Sequence, residues 1–131
     1  MTKDKVDTMQ DKLQLIFERQ QALDAFIYAQ RPKLDWDISQ QLQRLAMATI
    51  VETTELVSET NYKWWKNPTQ LDMDAIQEEL VDILHFFVSM CIAAGMDADM
   101  LYNLYVSKNQ ENYNRQIGTS KKQGYVAKHT Q

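Results

Sequence analysis

Residues that interrupt helices are scarce in this chain. Only three glycines and two prolines occur among its 131 residues, and no segment shows the apolar–polar alternation of a half-buried strand. Apolar residues instead recur every three or four positions, which is the spacing of an amphipathic helix. The length suits one domain of ordinary size. These features predict an all-α fold, an antiparallel helical bundle of about four main helices.

Start and stop signals place the first two helices. The first is predicted at about residues 6–29, because Pro32 disfavours helical geometry in the residue before it. The second is predicted at about residues 37–60. It begins where Asp37 and Gln40 have the spacing of a capping box.

Acidic caps and one glycine place the other two helices. We predict that Asp74 caps the third helix and that Gly95 ends it, because glycine readily adopts the left-handed conformation common after a helix. Asp97 is the predicted cap of the fourth helix, which fades near Arg115. The connection at residues 62–71 does not look helical where it ends.

Composition narrows the class of protein. Acidic residues outnumber basic ones by 18 to 14, so net charge does not favour binding to nucleic acid. The single cysteine, Cys91, lies in an apolar stretch, which indicates a packed thiol and a reducing compartment. No signal peptide is visible, and the longest uncharged stretch is shorter than the roughly 20 residues of a membrane span. We therefore expect a cytoplasmic protein that binds neither nucleic acid nor a membrane.

Two pairs of acidic residues stand at matching spacing on consecutive predicted helices. Glu52 and Glu55 are three residues apart, and so are Glu79 and Asp82. Each pair projects from one helix face, and an antiparallel hairpin brings the two pairs together. Four carboxylates so close repel one another unless a cation lies among them, and oxygen ligands suit Mg²⁺, with Mn²⁺ as an alternative. The pattern predicts a metal site, against the alternative of two solvated acidic faces.

Aromatic and basic residues lie near these acids in the sequence. Residues 62–66 include Lys63 and two tryptophans, which offer a stacking wall for a base and positive charge for phosphates. The alternative is a loop held in the core by one tryptophan. His85 follows Asp82 by about one turn, and is either a substrate contact or a hydrogen-bonded core residue.

Further basic and polar residues follow towards the end of the chain. Three of them share one face of the last helix: Lys108, Asn112 and Arg115. We expect residues 1–117 to form the helical domain and residues 118–131, which include Lys121 and Tyr125, to form a flexible tail. The helix face and the tail either complete a cradle for a triphosphate, with the tail closing over it, or remain solvated.

Several stretches of the sequence, taken together, match a known pattern. They are LIFERQQALD at residues 15–24, ETTE at 52–55, YKWWK at 62–66, ELVDILHF at 79–86 and KNQENYNR at 108–115. Spread over most of the chain, they resemble the dimeric all-α dUTP diphosphatases, relatives of the MazG-like nucleotide pyrophosphohydrolases. The two acid motifs are shared across that wider superfamily, whereas the first, third and last stretches favour the dUTPase branch.

The resemblance implies roles for the matching residues. The expected Mg²⁺ ligands are Glu52, Glu55, Glu79 and Asp82. Glu52 is the first candidate to orient or deprotonate a metal-activated water, with Glu55 as the other acid of its pair. The expected substrate contacts are Gln20, Asp24 and Trp65 for the base, Asn112 for the nucleoside, Lys108 and Arg115 for phosphate, and Tyr125 in a tail element that folds over the nucleotide. Family members often carry Asn where Asp24 stands.

Three functions follow from these observations as hypotheses. The first is a Mg²⁺-dependent diphosphatase that hydrolyses dUTP, and also dUDP, to dUMP. The second keeps this chemistry but acts on dCTP or a modified deoxynucleotide, since the base pocket decides between them. The third belongs to another class, a non-catalytic helical interaction domain whose acids are only surface residues.

The resemblance also implies a homodimer. A chain of this length with wide apolar helix faces cannot cover them all within one protomer. Candidates for the interface are Met47, Phe86, Met90 and Tyr102. The alternative is that these residues fill the protomer's own core.

Overall fold

The computed structural model describes residues 11–31 and 35–122. These residues form helices joined by turns and loops and contain no strand, which confirms the predicted all-α class. The helices are α1 (Lys12–Gln30), α2 (Ile38–Ser58), α3 (Met73–Ala93) and α4 (Ala98–Ile117). The chain divides into two compact units, one that ends at Asp97 and one that begins at Ala98. Helix α1 begins later than the predicted start near residue 6, because Asp11 is extended and its carboxylate caps the helix by accepting from the Leu13 and Gln14 amides. Residue 6 itself lies outside the described residues.

Side-chain caps fix where the helices of the first unit begin. Asp37 caps α2 as predicted: its carboxylate accepts a hydrogen bond from the Gln40 amide at 2.8 Å, and the Gln40 side chain accepts one from the Asp37 amide at 3.1 Å. This reciprocal pair is a capping box. The predicted cap of α3 was wrong, because Asp72 accepts the hydrogen bond from the Ala75 amide and the helix begins two residues earlier. Asp74 lies in the first turn, where the helix dipole favours its charge.

Gly95 ends α3 as predicted. Its amide donates to the Ile92 carbonyl at 3.0 Å, and the Met96 amide donates to the Cys91 carbonyl at 2.9 Å. These two bonds form a Schellman motif, which requires a left-handed residue after the helix. The φ angle of Gly95 is +80°.

The three helices of the first unit pack through α3, which contacts both α1 and α2. Glu52 on α2 meets Glu79 near the start of α3, whereas Ala48, one turn earlier on α2, shares a cavity with Phe86, later on α3. The pair therefore runs antiparallel, as predicted. Cys91 is buried, which confirms its predicted packing, and burial raises the pKa of its thiol.

A braced loop joins α2 to α3. The Asn61 side chain donates to the Thr69 carbonyl and accepts from the Thr69 amide, both at 2.9 Å. Trp64 and Trp65 lie in the sequence between these two residues. Their ring centroids are 5.6 Å apart in an edge-to-face arrangement. As predicted, the loop is not helical where it ends.

The second unit contains α4 and the residues that follow it. Gly118 has a φ angle of +82°, and the Thr119 amide donates to the Asn114 carbonyl at 2.9 Å. The Ser120 hydroxyl donates to the Glu111 carboxylate. Residues 118–122 are therefore tied to the end of α4.

The described helices differ from a membrane span in length or hydropathy. None of them alone is long and apolar enough to cross a bilayer. The consecutive helices Met73–Ala93 and Ala98–Ile117 meet the criteria of length and composition only when taken as a pair.

The Schellman motif gives a prediction about stability. Replacing Gly95 by Ala should lower the free energy of unfolding by about 1–2 kcal/mol, because an L residue is strained in the left-handed region. A Cβ added there meets no atom within 4 Å, so a clash is not the cause. Urea denaturation measures the change. Gly95→Asn is the matched control and should cost less, since Asn tolerates this conformation; equal stability of the Gly and Ala proteins would contradict the assignment.

Candidate functional site

Three acidic side chains converge where α2 packs against α3. Carboxylate oxygens of Glu52, Glu55 and Glu79 all lie within 4.8 Å of one another. Glu52 and Glu79 are half-buried, whereas Glu55 is exposed. The three-residue spacing places Glu52 and Glu55 on the same face of α2, and the antiparallel packing brings Glu79 opposite them. We call these three residues the carboxylate cluster.

The carboxylate cluster holds protons more tightly than isolated acids do. The pKa of Glu52 is raised, first because a protonated Glu52 forms a hydrogen bond with the Glu79 carboxyl and then because of burial. The pKa of Glu55 is raised by its contact with Glu52 and by the negative charge of that residue. Burial is the main cause of the raised pKa of Glu79. The charge of Asp82 adds to all three increases.

Two oxygens of the cluster are buried without a hydrogen-bond partner among the described residues. They are Oε2 of Glu52 and Oε2 of Glu79. A buried carboxylate oxygen without a donor is costly, and a cation provides the missing interaction. The donor set consists of carboxylate oxygens alone, the ligands that Mg²⁺ and Mn²⁺ prefer. The cluster therefore fits a hard divalent cation, with Asp82 beside it as a further charge.

A cavity of about 570 Å³ lies between the helices, and Glu52 is the member of the carboxylate cluster that lines it. Its volume lies within the range of small-molecule sites. Glu52 and Asp82 line it together with Gln20, Asp24 and Ser89. The rest of its wall includes apolar and aromatic side chains: Leu23, Ile27, Tyr28, Trp36, Leu45, Ala48 and Phe86. We call this space the central cavity.

Three polar side chains of the central cavity bind one another. The Gln20 amide nitrogen donates to Asp24 Oδ1 at 3.0 Å and to Ser89 Oγ at 2.9 Å. The Ser89 hydroxyl donates to the Asp24 carboxylate, at 2.9 Å from Oδ2 and 3.0 Å from Oδ1. Gln20 and Ser89 are 7% and 4% exposed, so the hydrogen bonds satisfy groups that water barely reaches. We call these three residues the polar triad.

An aromatic and a cationic side chain lie together at another part of the wall. The Arg44 guanidinium stands 4.5 Å from the centre of the Trp36 ring, a cation–π contact. Gln41 holds the Trp36 backbone, because its side chain donates to the Trp36 carbonyl at 3.1 Å. Both Trp36 and Arg44 line the central cavity.

Sequence reasoning missed Ser89, Trp36 and Arg44 as cavity residues. Ser89 had a recognisable signal, since it is a lone hydroxyl among the apolar residues of α3. Trp36 and Arg44 are eight positions apart across a helix start, and only the fold shows that they meet.

His85 lies on α3 and lines the central cavity. Its Nδ1 atom is 2.9 Å from the Val81 carbonyl oxygen, so this nitrogen carries the proton that it donates. In the neutral ring Nε2 is then an acceptor. His85 also lines a second cavity of about 440 Å³, whose apolar wall between α1 and α3 includes Leu84 and Val88.

Several predicted substrate contacts are not among the residues that line the central cavity. Trp65 is 61% exposed, and Lys63 lines a separate cavity of about 220 Å³ beside Asn61. The second unit holds Lys108, Asn112, Arg115 and Lys121. Lys121 borders a cavity of about 420 Å³ with Glu111 and Ser120. Tyr125 lies outside the described residues. The substrate roles of all these residues stay predictions.

Comparisons with known proteins assign this chain to a family. A family model described as dUTPase matches residues 12–99. A dCTP pyrophosphatase of Enterobacteria phage T4 is 44% identical over 45 residues, which are 34% of this chain and 26% of that protein. A dCTP pyrophosphatase of Enterobacteria phage LZ5 is 47% identical over 45 residues, with the same two shares. The alignments therefore span about a quarter of each relative.

No solved structure matches this chain significantly. The family match includes all of α1, α2 and α3, the helices that form the carboxylate cluster and most of the central cavity. It covers well over half of the sequence, and the chain therefore belongs to the dUTPase family.

Proposed function

We propose that this protein is a Mg²⁺-dependent pyrophosphatase that hydrolyses a deoxypyrimidine triphosphate, dUTP or dCTP, to the monophosphate and pyrophosphate. One observation carries the proposal: Glu52 belongs to the carboxylate cluster and also lines the cavity that contains the polar triad. A phosphate chain at the cluster and a base at the polar triad can therefore share one cavity. The family supports this chemistry, and the names of the two phage relatives favour dCTP as the alternative to dUTP.

The carboxylate cluster would hold Mg²⁺, with Asp82 completing the negative charge around it. When bound, the ion neutralises charge on the phosphate oxygens and makes a coordinated water more acidic. The two orphaned oxygens on Glu52 and Glu79 are the first candidate ligands, because they have no hydrogen bond to lose.

Glu52 would act on the attacking water. It is half-buried where the carboxylate cluster meets the central cavity, so its carboxylate can orient a water and accept its proton. The water oxygen forms a bond to phosphorus as the bond to the bridging phosphate oxygen breaks. Pyrophosphate leaves, and the nucleoside monophosphate remains. Glu55 is exposed beside Glu52 and is the second candidate for this role.

The remaining wall of the central cavity would hold the nucleoside. Apolar side chains such as Leu23 and Phe86 exclude water from the base, and the polar triad supplies directional contacts. His85, with Nε2 as an acceptor, lies in the same wall and is a candidate contact for the sugar or the base.

Reaction products test the proposal directly. With Mg²⁺, the purified protein should convert dUTP or dCTP into the monophosphate and pyrophosphate, and a chelator should stop the reaction. Chromatography separates these products from a diphosphate and free phosphate. Including dUDP tests the second predicted substrate. No turnover of any deoxynucleotide, with no thermal stabilisation by Mg²⁺ plus nucleotide, would instead favour a non-catalytic interaction domain.

The carboxylate cluster predicts the behaviour of a neutral variant. Glu79→Gln should lower kcat/KM by at least about 100-fold, since even residues that only support a metal ligand commonly cost 10–100-fold. The neighbouring Glu78→Gln is the matched control, because Glu78 is exposed and is not part of the cluster. Turnover of a folded Glu79→Gln protein equal to that of the parent would remove the metal-site assignment.

The same variant predicts a pH dependence of stability in the absence of metal. The raised pKa values mean that the native cluster binds protons more tightly than the unfolded chain. Its contribution to stability is therefore present near pH 4 and is lost as the pH rises through the raised values. We expect thermal melts in the presence of a chelator to show this loss. Between pH 5 and pH 8, the melting temperature of Glu79→Gln should rise relative to that of the parent. An unchanged difference would argue against charge repulsion in the cluster.

We also propose that the protein is a homodimer. On α2 a stripe of apolar side chains is exposed: Met47 at 60%, Ile50 at 58% and Val51 at 48%. Ile50 and Val51 follow Met47 by three and four positions, so both lie on the same side of the helix as Met47. A second copy of the chain would cover them. Of the other predicted interface residues, Tyr102 is 60% exposed, whereas Phe86 lines the central cavity.

Sedimentation velocity at micromolar concentration measures the oligomeric state. The parent should sediment as a dimer, and Ile50→Asp should shift it towards a monomer because a buried unpaired charge is costly at an interface. Ile50→Val keeps the face apolar and should remain dimeric. Circular dichroism checks that each variant is folded. A monomeric parent would contradict the proposal.

A further inference from the structure

The polar triad fixes the orientation of the Gln20 amide. A carboxylate accepts hydrogen bonds but cannot donate them, so the group of Gln20 that faces Asp24 is the NH₂ group. Its two protons go to Asp24 Oδ1 at 3.0 Å and to Ser89 Oγ at 2.9 Å. Rotating the amide by 180° would point its carbonyl oxygen at the carboxylate and break both bonds. Asp24 and Ser89 therefore determine which atom of Gln20 remains for a ligand.

The polar triad has no donor left to offer. The single hydroxyl proton of Ser89 is shared between the two oxygens of Asp24, and both Nε2 protons of Gln20 are engaged. What remains is the carbonyl oxygen Oε1 of Gln20, which accepts no hydrogen bond from the described residues, and the lone pairs of the Asp24 carboxylate. Every atom that the polar triad presents to a ligand is an acceptor.

The two pyrimidine bases differ in the hydrogen-bonding groups that they present to a surface of acceptors. At position 4 cytosine carries an amino group with two protons, whereas uracil carries a carbonyl oxygen. The amino group can donate to two acceptors at once, whereas uracil has one donor on this edge, its N3–H, beside the C4 carbonyl. When uracil donates N3–H to one acceptor, its carbonyl oxygen faces the other without a hydrogen bond and is repelled by the carboxylate charge. The O2 carbonyl is common to both bases, and the Arg31 and Arg44 side chains in the cavity wall are donors suited to it.

We propose that the polar triad makes this protein select a pyrimidine with a 4-amino group, so that dCTP is preferred over dUTP. In this scheme Gln20 and Asp24 accept the amino protons, and Ser89 is a positioning residue that holds the amide and the carboxylate in place. The inference rests on the proposed function, since it names the base that the same cavity takes.

The negative charge of Asp24 extends into the central cavity. Tyr28 lines this cavity, and the pKa of its hydroxyl is raised by burial and then by the charge of Asp24. Among the described residues, the hydrogen bonds that this carboxylate accepts come from Gln20 and Ser89, which are both uncharged. A partly positive amino group is favoured at this position, and a carbonyl oxygen is disfavoured.

The ratio of kcat/KM for dCTP to that for dUTP tests the proposal. In the parent this ratio should be at least about ten, because leaving one buried polar group unpaired commonly costs tenfold or more. Asp24→Asn introduces an amide that donates to a carbonyl oxygen, so the ratio should fall at least about tenfold. Ser89→Ala leaves one Gln20 Nε2 proton free to donate to a carbonyl oxygen and removes the hydroxyl that holds Asp24, so the ratio should fall towards one. A structural defect alone would lower both rates and leave the ratio unchanged.

A second serine provides a matched control. Ser39 also accepts a hydrogen bond from a glutamine amide, that of Gln43 at 3.3 Å, but on the exposed face of α2. Ser39→Ala should leave the ratio as it is in the parent. A parent that prefers dUTP, or a ratio that neither Asp24→Asn nor Ser89→Ala changes, would overturn the inference while the proposed function stands.

Calorimetric titration with dCMP and dUMP separates the two proposals when no deoxynucleotide is hydrolysed. In that case the proposed function fails, and the choice of base is decided by binding alone. Binding of dCMP at least about tenfold tighter than dUMP, lost in Asp24→Asn, supports the polar triad as a base selector. Equal affinities, or no binding of either monophosphate, overturn it.

Discussion

Repulsion among the acids between α2 and α3 is the constraint around which the rest of this structure is arranged. Packing of two antiparallel helices brings Glu52, Glu55 and Glu79 within 4.8 Å, a separation that three charged groups in water would avoid. This electrostatic repulsion lowers the stability of the fold. It occurs beside a cavity whose other walls are largely apolar. A cation bound among these carboxylates would offset this repulsion.

In the proposed function, position along the cavity would separate two kinds of recognition. The carboxylate cluster would respond to charge and not to the base, whereas the polar triad would respond to the base and not to the length of the phosphate chain. Glu52 and Asp82 line the same cavity as Gln20, Asp24 and Ser89, so one bound molecule could contact both sets of residues. The rigid elements carry both sets of residues, since all of them project from helices.

Local rules in the sequence account for most of the fold and for the acids. The capping box at Asp37 and the glycine at position 95 are short-range signals that appear in the structure as expected. Of the two acid pairs, the structure brings Glu52, Glu55 and Glu79 together, whereas Asp82 is not part of the cluster. The start of α3 was misplaced because Asp72 and Asp74 are both good caps. The structure uses the earlier one, which adds two residues to the helix and leaves Asp74 in the first turn.

The polar part of the cavity was harder to foresee because its contacts are long-range. Gln20 was singled out through the family resemblance, but its partner Ser89 is 69 positions away on another helix. No spacing rule relates residues that distant. The same holds for the Trp36–Arg44 contact, which depends on how the chain enters α2.

The closed arrangement of Gln20, Asp24 and Ser89 has a consequence for how the sequence can evolve. Each member is bonded to the other two, so a substitution of Asp24 or Ser89 leaves one amide proton of the buried Gln20 without its acceptor. Replacements at these positions are therefore non-additive, and a compensating second change restores what the first one loses. The three positions should vary together among homologues, and a new preference would arise by crossing a fitness valley rather than by gradual drift.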